Sequence, residues 1–174
     1  KEDAVDKVII GEGELAFLKV LSGDINSIIY GEPFVDFNEI FPDRNLIKNK
    51  RTIDLCDKMI KQRITRFQSV RVCPFNCAFC SERIITGSHH RKKNPLRVRD
   101  PKHLLEEIKW TAKEYSLNYF KFVDATWNTS TEKVIDFCEE KIRQNIKLPW
   151  DANVHASFVN KEMLKAMKAA NCKL

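Results

Sequence analysis

The sequence predicts an α/β fold: about three strand–helix units of an open half-barrel, preceded by the closing half of another α/β unit. Three observations predict it. Ile64–Val72, Tyr119–Val123 and Lys147–Val154 read as strands, and all but the first lead promptly into apolar residues at helical spacing. Strand, helix, strand, helix, strand, helix is a repeat that calls for a parallel sheet with right-handed crossovers. The cysteines of Cys73-Pro74-Phe75-Asn76-Cys77-Ala78-Phe79-Cys80 stand directly after the first strand. That is the C-terminal strand end, where ligand sites of such folds collect.

The elements follow in order. Val8-Ile9-Ile10 reads as a short buried strand. Gly11-Glu12-Gly13-Glu14 then gives a turn, and Leu15, Ala16, Leu18 and Leu21 suit a helix that Gly23 ends. The two glutamates would repel a phosphate and fit better as acids at a helix N-terminus. Ile25, Ile28, Ile29 and Tyr30 suggest a second strand. Residues 31–50 read as an arm broken by Gly31, Pro33, Pro42, Asp43 and Asn45, whose Phe34, Phe37, Ile40 and Phe41 need a surface to pack on. Residues 48–61 are charged, with scattered apolar positions that settle on no period.

Ile64–Val72 leads into the cysteine loop, and Ser81–Thr86 suits a short helical turn. Asp100 and Pro101 open a helix as N-cap and first residue, with Leu104, Leu105, Ile108, Ala112 and Tyr115 on one face. Tyr119–Val123 is a buried strand ending at Asp124. Thr129 and Glu132 read as a capping box before a helix carrying Val134, Cys138 and Ile142. Pro149 suits the start of the third strand. Asn160 caps the last helix, which carries Met163, Leu164 and Met167, and Asn171 is a left-handed stop. With no fourth strand, the inner face of Phe120, Phe122 and Val154 is expected to meet water.

A chain of 174 residues suffices for one good core or for one domain and part of another. It opens without methionine and ends just after a helical pattern, as a segment of a longer protein would. No apolar run approaches a membrane span, and no signal peptide is visible. Six cysteines with three at metal spacing argue against a secreted disulfide framework and for a reducing cytoplasm. The net charge of +6 is uneven: Arg91, Lys92, Lys93, Arg97 and Arg99 crowd nine residues beside His89 and His90. That cluster is either a solvated loop or an anion site, and no aromatic ladder accompanies it to favour nucleic acid.

Three thiolates within eight residues can turn toward one point, which is what an iron–sulfur cube asks of a protein. No fourth local ligand is obvious, so one metal position would stay open for a substrate. Zinc, with His89 or His90 as a further ligand, is the competing reading, and reduced core thiols are another. Phe79 puts a flat ring beside the last cysteine, where it can stack on a nucleobase. Asp124 stands at the end of the second strand, either beside a cofactor amino group or capping the following turn. Asp151, Asn153 and His155 alternate along the third strand, so they share one face, ligand-lined or solvent-facing.

The octet resembles the cluster-binding loop of the radical S-adenosylmethionine superfamily, which reads CxxxC, any residue, an aromatic, C. The resemblance implies a partial (βα) TIM-like barrel and a [4Fe–4S] cluster on Cys73, Cys77 and Cys80. It also implies S-adenosylmethionine chelated to the fourth iron and cleaved to a 5′-deoxyadenosyl radical. Residues 11–14 resemble the GEGE turn closing the Rossmann-like domain of the cobalamin-binding-type subgroup. The boundaries implied are residues 1–30 for the tail of that domain, 31–63 for a linker arm and 64–174 for the first half of the radical core.

Phe122-Val123-Asp124-Ala125-Thr126-Trp127 is similar to the family's second-strand Asp-Asp-Thr-Phe, with Ala125 for the second acid. The resemblance implies a cofactor contact at the Asp124 strand end, and Phe79, Asn153, His155 and Arg99 are further expected cofactor contacts; the family commonly has an arginine where His155 stands, and Arg97 and Arg99 match a basic pair common in it. Where the family favours Ser-Arg-Gly before the first cysteine, this chain has Val70-Arg71-Val72. The cobalamin signature Asp-x-His-x-x-Gly is absent, so cobalamin would need an upstream domain. The resemblance further implies a flavodoxin- or ferredoxin-type electron donor, and a small-molecule or peptide substrate undergoing methyl transfer, methylthiolation or cyclisation. A non-catalytic iron–sulfur protein and a zinc-bearing nucleic-acid module are the alternatives.

Overall fold

Alternating strands and helices run through the chain, as its apolar pattern requires. The structure, a computed structural model, describes residues 4–34, 38, 40–82 and 95–173. They fall into two units, residues 1–37 with 72–97 and residues 38–71 with 98–174. The expectations for Phe37, for the later part of the turn Ser81–Thr86, and for His89, His90, Arg91, Lys92 and Lys93 lie outside the described residues.

In the first unit β1 (Val8–Ile10), α1 (Gly13–Leu21) and β2 (Ile28–Tyr30) form a βαβ motif. The strands are parallel, with Val8 opposite Ile28 and Ile10 opposite Tyr30. Gly23, at φ 92°, ends α1: its N–H donates to the Val20 carbonyl at 3.1 Å, and that of Asp24 to Lys19 at 3.0 Å. The strand expected to be buried forms, but it buries only one face. Ala16 and Ile29 are buried, while Val8, Ile10, Ile28 and Tyr30 are exposed.

Gly31, expected only to break structure, has a packing role. A Cβ there would lie 1.8 Å from the Glu12 carbonyl oxygen, so the chain after β2 passes directly against the Gly11–Glu12 turn. The Gly31 N–H donates to Ile10 at 2.8 Å.

The second unit begins with a helix in the segment the sequence left open, α2 (Asn49–Ile60), whose Ile53 is buried with Tyr115 and Leu117. Then come β3 (Ile64–Phe67) and the two-residue strands β4 (Val70–Arg71) and β5 (Arg97–Val98), where the chain leaves and re-enters this unit. α3 (Pro101–Tyr115), β6 (Tyr119–Phe122), α4 (Thr131–Arg143), β7 (Trp150–Asp151) and α5 (Lys161–Ala169) complete it. β3, β6 and β7 form a parallel sheet in that order, with Phe67 opposite Phe122 and Phe120 opposite Trp150. Among the described residues this sheet does not close into a barrel.

The caps follow the sequence closely. Asp100 accepts from the N–H groups of Lys102 at 2.9 Å and His103 at 3.1 Å, and Asn160 from that of Met163 at 2.9 Å. Asn171 is left-handed at φ 64°. The cap of α4 is Ser130, one residue past the expected Thr129; its hydroxyl accepts from Lys133 N–H and donates to Glu132.

Alternation along β6 decides where the core lies. Phe120 and Phe122 are 0% exposed and join Phe67, Trp127, Phe137 and Trp150 in an aromatic cluster. Its rings meet edge-on or stacked, at centroid distances such as 5.6 Å for Phe120–Phe122 and 5.3 Å for Phe122–Phe137. Leu104, Leu105 and Ile108 of α3, Val134 and Cys138 of α4, and Met163 and Met167 of α5 complete it. The expectation that Phe120 and Phe122 meet water is therefore overturned: both lie in a core shared with the helices. The alternate positions hold Tyr119 and Lys121, and Lys121 pairs with Asp151 at 3.0 Å.

The third strand is also shorter than expected, Trp150–Asp151 instead of 147–154. Its outer edge is partly covered: Trp150 pairs with Cys172, and Lys173 N–H donates to the Trp150 carbonyl at 2.7 Å. Beneath it Lys141 is buried, its ammonium donating to Ile146 at 2.6 Å and Ala170 at 2.9 Å, carbonyls just past α4 and α5. Burial lowers its pKa to about 8.

Candidate functional site

The cysteine loop belongs to the first unit. Val72 enters it at φ 73°, a left-handed backbone that strains a β-branched residue. A glycine here would take this φ without strain. Cys73, Cys77 and Cys80 are half-buried, and among the described residues no disulfide forms. The Cys80 N–H donates to the Cys77 carbonyl at 3.1 Å, closing a tight turn between the last two cysteines. Phe79 within that turn is 93% exposed, so its ring is open to a ligand.

Among the described residues, no three His, Cys, Asp or Glu side chains stand close enough together to hold a metal ion. The loop thus presents three thiols along an irregular stretch without gathering them. Burial pushes the Cys138 thiol up to about 12 and that of Cys172 up to about 11, which disfavours the thiolate at both.

In the second unit, the polar residues singled out from the sequence stitch the strand ends together. Asp124, 2% exposed, accepts from the N–H groups of Ser69 at 2.9 Å and Val70 at 2.7 Å and from the Ser69 hydroxyl at 2.8 Å. These bonds hold the break between β3 and β4, just before Cys73 in the chain. Burial raises the Asp124 pKa; the bonds from Val70 and Ser69 oppose the rise without cancelling it. Asn153 donates its amide to the Asp124 carbonyl at 3.3 Å. The His155 N–H donates to Asn128 Oδ1 at 2.7 Å, and Asn128 Nδ2 returns a bond to the His155 carbonyl at 3.0 Å. The His155 ring Nδ1 accepts from Ser157 N–H at 3.3 Å at the start of a short 3-10 turn, Ala156–Phe158.

Asn153 and His155 therefore lie beyond the strand rather than along it, and Asn128 takes the place of a ladder partner. Sequence reasoning missed Asn128, which had no pattern to betray it.

Arg99 is 5% exposed, and its guanidinium meets the Glu107 carboxylate at 2.6 Å and His103 Nδ1 at 3.0 Å. Glu107 also binds Arg44, at 2.7 Å, whose guanidinium lies 4.4 Å over the Phe67 ring. Arg44 thus ties the arm to α3 and β3, and Phe41 adds a ring stacked on His103 at 4.3 Å. A glutamate beside Leu104, Leu105 and Ile108 on the buried face of α3 was the available signal for this ion network. Arg97, in the first unit, is likewise buried and bonded to Glu12. The two arginines the sequence grouped with an anion-binding cluster each lie against a glutamate.

No protein-family profile matches the chain. Over 158 residues it is 31% identical to an anaerobic magnesium-protoporphyrin IX monomethyl ester cyclase of Cereibacter sphaeroides, covering 88% of the chain and 24% of that protein. It is 24% identical over 178 residues to the enzyme of the same name from Rubrivivax gelatinosus, covering 89% of the chain and 30% of that protein. An uncharacterized methyltransferase of Pyrococcus horikoshii is 28% identical over 185 residues, 97% of the chain and 39% of that protein. The chain is thus distantly homologous to these enzymes over most of its length, while spanning well under half the length of each. No helix among the described residues is long and apolar enough to cross a membrane.

Proposed function

We propose that the chain is part of a radical S-adenosylmethionine enzyme in which Cys73, Cys77 and Cys80 hold a [4Fe–4S] cluster. The observation that carries the reading is the CxxxCxxC loop with an exposed aromatic before its last cysteine, entered from a strand end. Distant homology to a cyclase and a methyltransferase supports it. The donor set suits such a group in chemical kind, being three soft thiols, half-buried and engaged in no disulfide; their loop, which no ladder fixes, would draw them together on binding it. When bound, the cluster supplies the electron that cleaves S-adenosylmethionine to a 5′-deoxyadenosyl radical.

The residues of this chain would hold and orient. Phe79 offers a face for the adenine. Asp124 acts from within, fixing the backbone that leads to Cys73. Residues 64–174 would form the first half of the radical core and residues 1–30 the tail of a Rossmann-like domain, with any cobalamin supplied from upstream. The substrate would be a small molecule or peptide, undergoing cyclisation or the transfer of a methyl or methylthio group. A flavodoxin- or ferredoxin-type protein would deliver electrons in the cytoplasm.

Anaerobic reconstitution of the full-length protein tests this. The expected product is brown and carries about four irons. Its reduced EPR spectrum changes on adding S-adenosylmethionine, and 5′-deoxyadenosine accumulates. Cys77→Ala should lose the chromophore, and Cys138→Ala should keep it. One equivalent of zinc without iron would overturn the reading in favour of a zinc module. A cluster indifferent to S-adenosylmethionine would leave an electron carrier.

A further inference from the structure

The helices cover one face of the β3–β6–β7 sheet, and the other face carries its charges. Alternation sends Phe67, Phe120, Phe122 and Trp150 into the core, so Arg66, Tyr119, Lys121 and Asp151 project from the opposite side. Register lines three of these up. Arg66 stands opposite Lys121, and Lys121 opposite Asp151, on strands about 4.8 Å apart.

The row is not balanced. Lys121 Nζ lies 3.0 Å from Asp151 Oδ1, so Asp151 offsets one of the two positive charges. Burial, and then the Asp151 carboxylate beside it, push the Tyr119 phenol up to about 12, so it stays neutral. Arg66 is exposed, and among the described residues its guanidinium has no acidic partner; its neighbour in register is a second cation. Two cations side by side repel, and an anion between them removes the repulsion. A guanidinium left in that position offers a fork that fits a carboxylate with two parallel bonds. A phosphate dianion suits the row less, because Asp151 repels its second charge.

Val123 is the next residue on this side of the chain beyond Lys121, and it is 45% exposed. It lies roughly 6.5 Å further toward the C-terminal strand end. A ligand with its carboxylate at Arg66 and Lys121 would thus lay an apolar body over Val123.

We propose that Arg66 and Lys121 bind the carboxylate of a small-molecule substrate whose apolar body rests on Val123. The proposal deepens the reading of residues 64–174 as half of a radical core, since that reading alone makes the ligand a substrate; the carboxylate site itself stands on the sheet. Asp151 tunes it, holding Lys121 in the row and setting the charge that the ligand must match.

The test uses the full-length protein with benzoate as the probe. Phenylglyoxal modification of Arg66 is followed by mass spectrometry, with the exposed Arg51 of α2 as internal reference and melting curves to confirm the fold of each variant. Benzoate should slow the modification of Arg66 about tenfold at saturation and leave Arg51 unchanged. Benzamide, which has the shape without the charge, should protect neither. Lys121→Met should raise the half-protecting benzoate concentration about tenfold, the usual loss for one charge-assisted bond. Asp151→Asn should lower it several-fold by releasing Lys121 to the ligand, and should let inorganic phosphate protect as well. A merely structural Asp151 would produce no such tightening.

An Arg66 rate indifferent to benzoate, or equal slowing of Arg51, would overturn the site. So would an Arg66 that resists phenylglyoxal from the outset while Arg51 reacts, since an acid from elsewhere in the full chain would then hold it. Protection of Arg66 by S-adenosylmethionine in the reconstituted protein would assign the carboxylate to the cosubstrate and overturn the substrate assignment. A wild type that binds no iron would sink the radical reading by itself, and benzoate would still decide whether this face takes a carboxylate.

Discussion

The two parallel sheets use the same strand–helix–strand grammar and reach different ends. In β1–α1–β2 only one sheet face is buried, and Val8, Ile10, Ile28 and Tyr30 remain 44–70% exposed. In β3–β6–β7 the aromatic positions Phe67, Phe120, Phe122 and Trp150 are sealed in one core. Parallel strands are normally covered on both faces. The first sheet shows what such a motif looks like with half its cover, the second what three helices add. Local pattern makes both motifs; packing decides which carries stability.

The largest expected effect breaks the second sheet alone. Phe120→Ala should cost about 3–5 kcal/mol, whereas Ile28→Ala at its exposed site should cost about 0.5 kcal/mol or less. Hydrogen exchange resolved by segment reads both, and equal losses would mean that the first sheet is as well packed as the second. Asp124→Ala comes next, at about 1–3 kcal/mol, because it leaves the buried Ser69 and Val70 N–H groups without partners. Asp124→Asn should cost less, and denaturant melts of the two compare directly.

A smaller change should sharpen the contrast from the other side. Val72→Gly relieves a left-handed valine and should stabilise by about 1 kcal/mol or less, since the added backbone freedom of the unfolded chain offsets part of the gain. The smallest effect follows pH. Burial, and then the Arg99 charge, lower the His103 pKa. The folded state therefore favours neutral imidazole, and stability should be lost as pH falls from about 6.5 toward the lowered value. His103→Gln should flatten that slope in melting curves taken between pH 7 and 5.

Much of the second unit was legible in the sequence. Asp100 with Pro101, Asn160 and Asn171 act through bonds a few residues away, so their neighbours in the chain reveal them. The spacing of the three cysteines is local and could be read in the same way, whereas their separation in the folded loop could not. What escaped depended on distance along the chain. Asn128 binds His155, Glu107 binds Arg44, and Glu12 binds Arg97, across 27, 63 and 85 residues. The facing of Phe120 escaped too, because alternation separates two faces without saying which the helices cover. Residues 49–60 were opaque because Ile53 is their one buried apolar residue, too few to set a period.

The exchange between Asn128 and His155 has a consequence for how this protein can change. A side-chain amide that gives and takes a backbone bond replaces a neighbouring strand with a single residue. The segment after β7 is thereby moored at His155, and Asn160 moors it again at the start of α5. Between the moorings the chain makes a 3-10 turn, Ala156–Phe158, whose bonds run to His155 and Ala156 and none of which belongs to the sheet's ladder. The sheet's edge and the turn beyond it are thereby held by separate sets of bonds, so the turn can change its sequence without changing the register of β7.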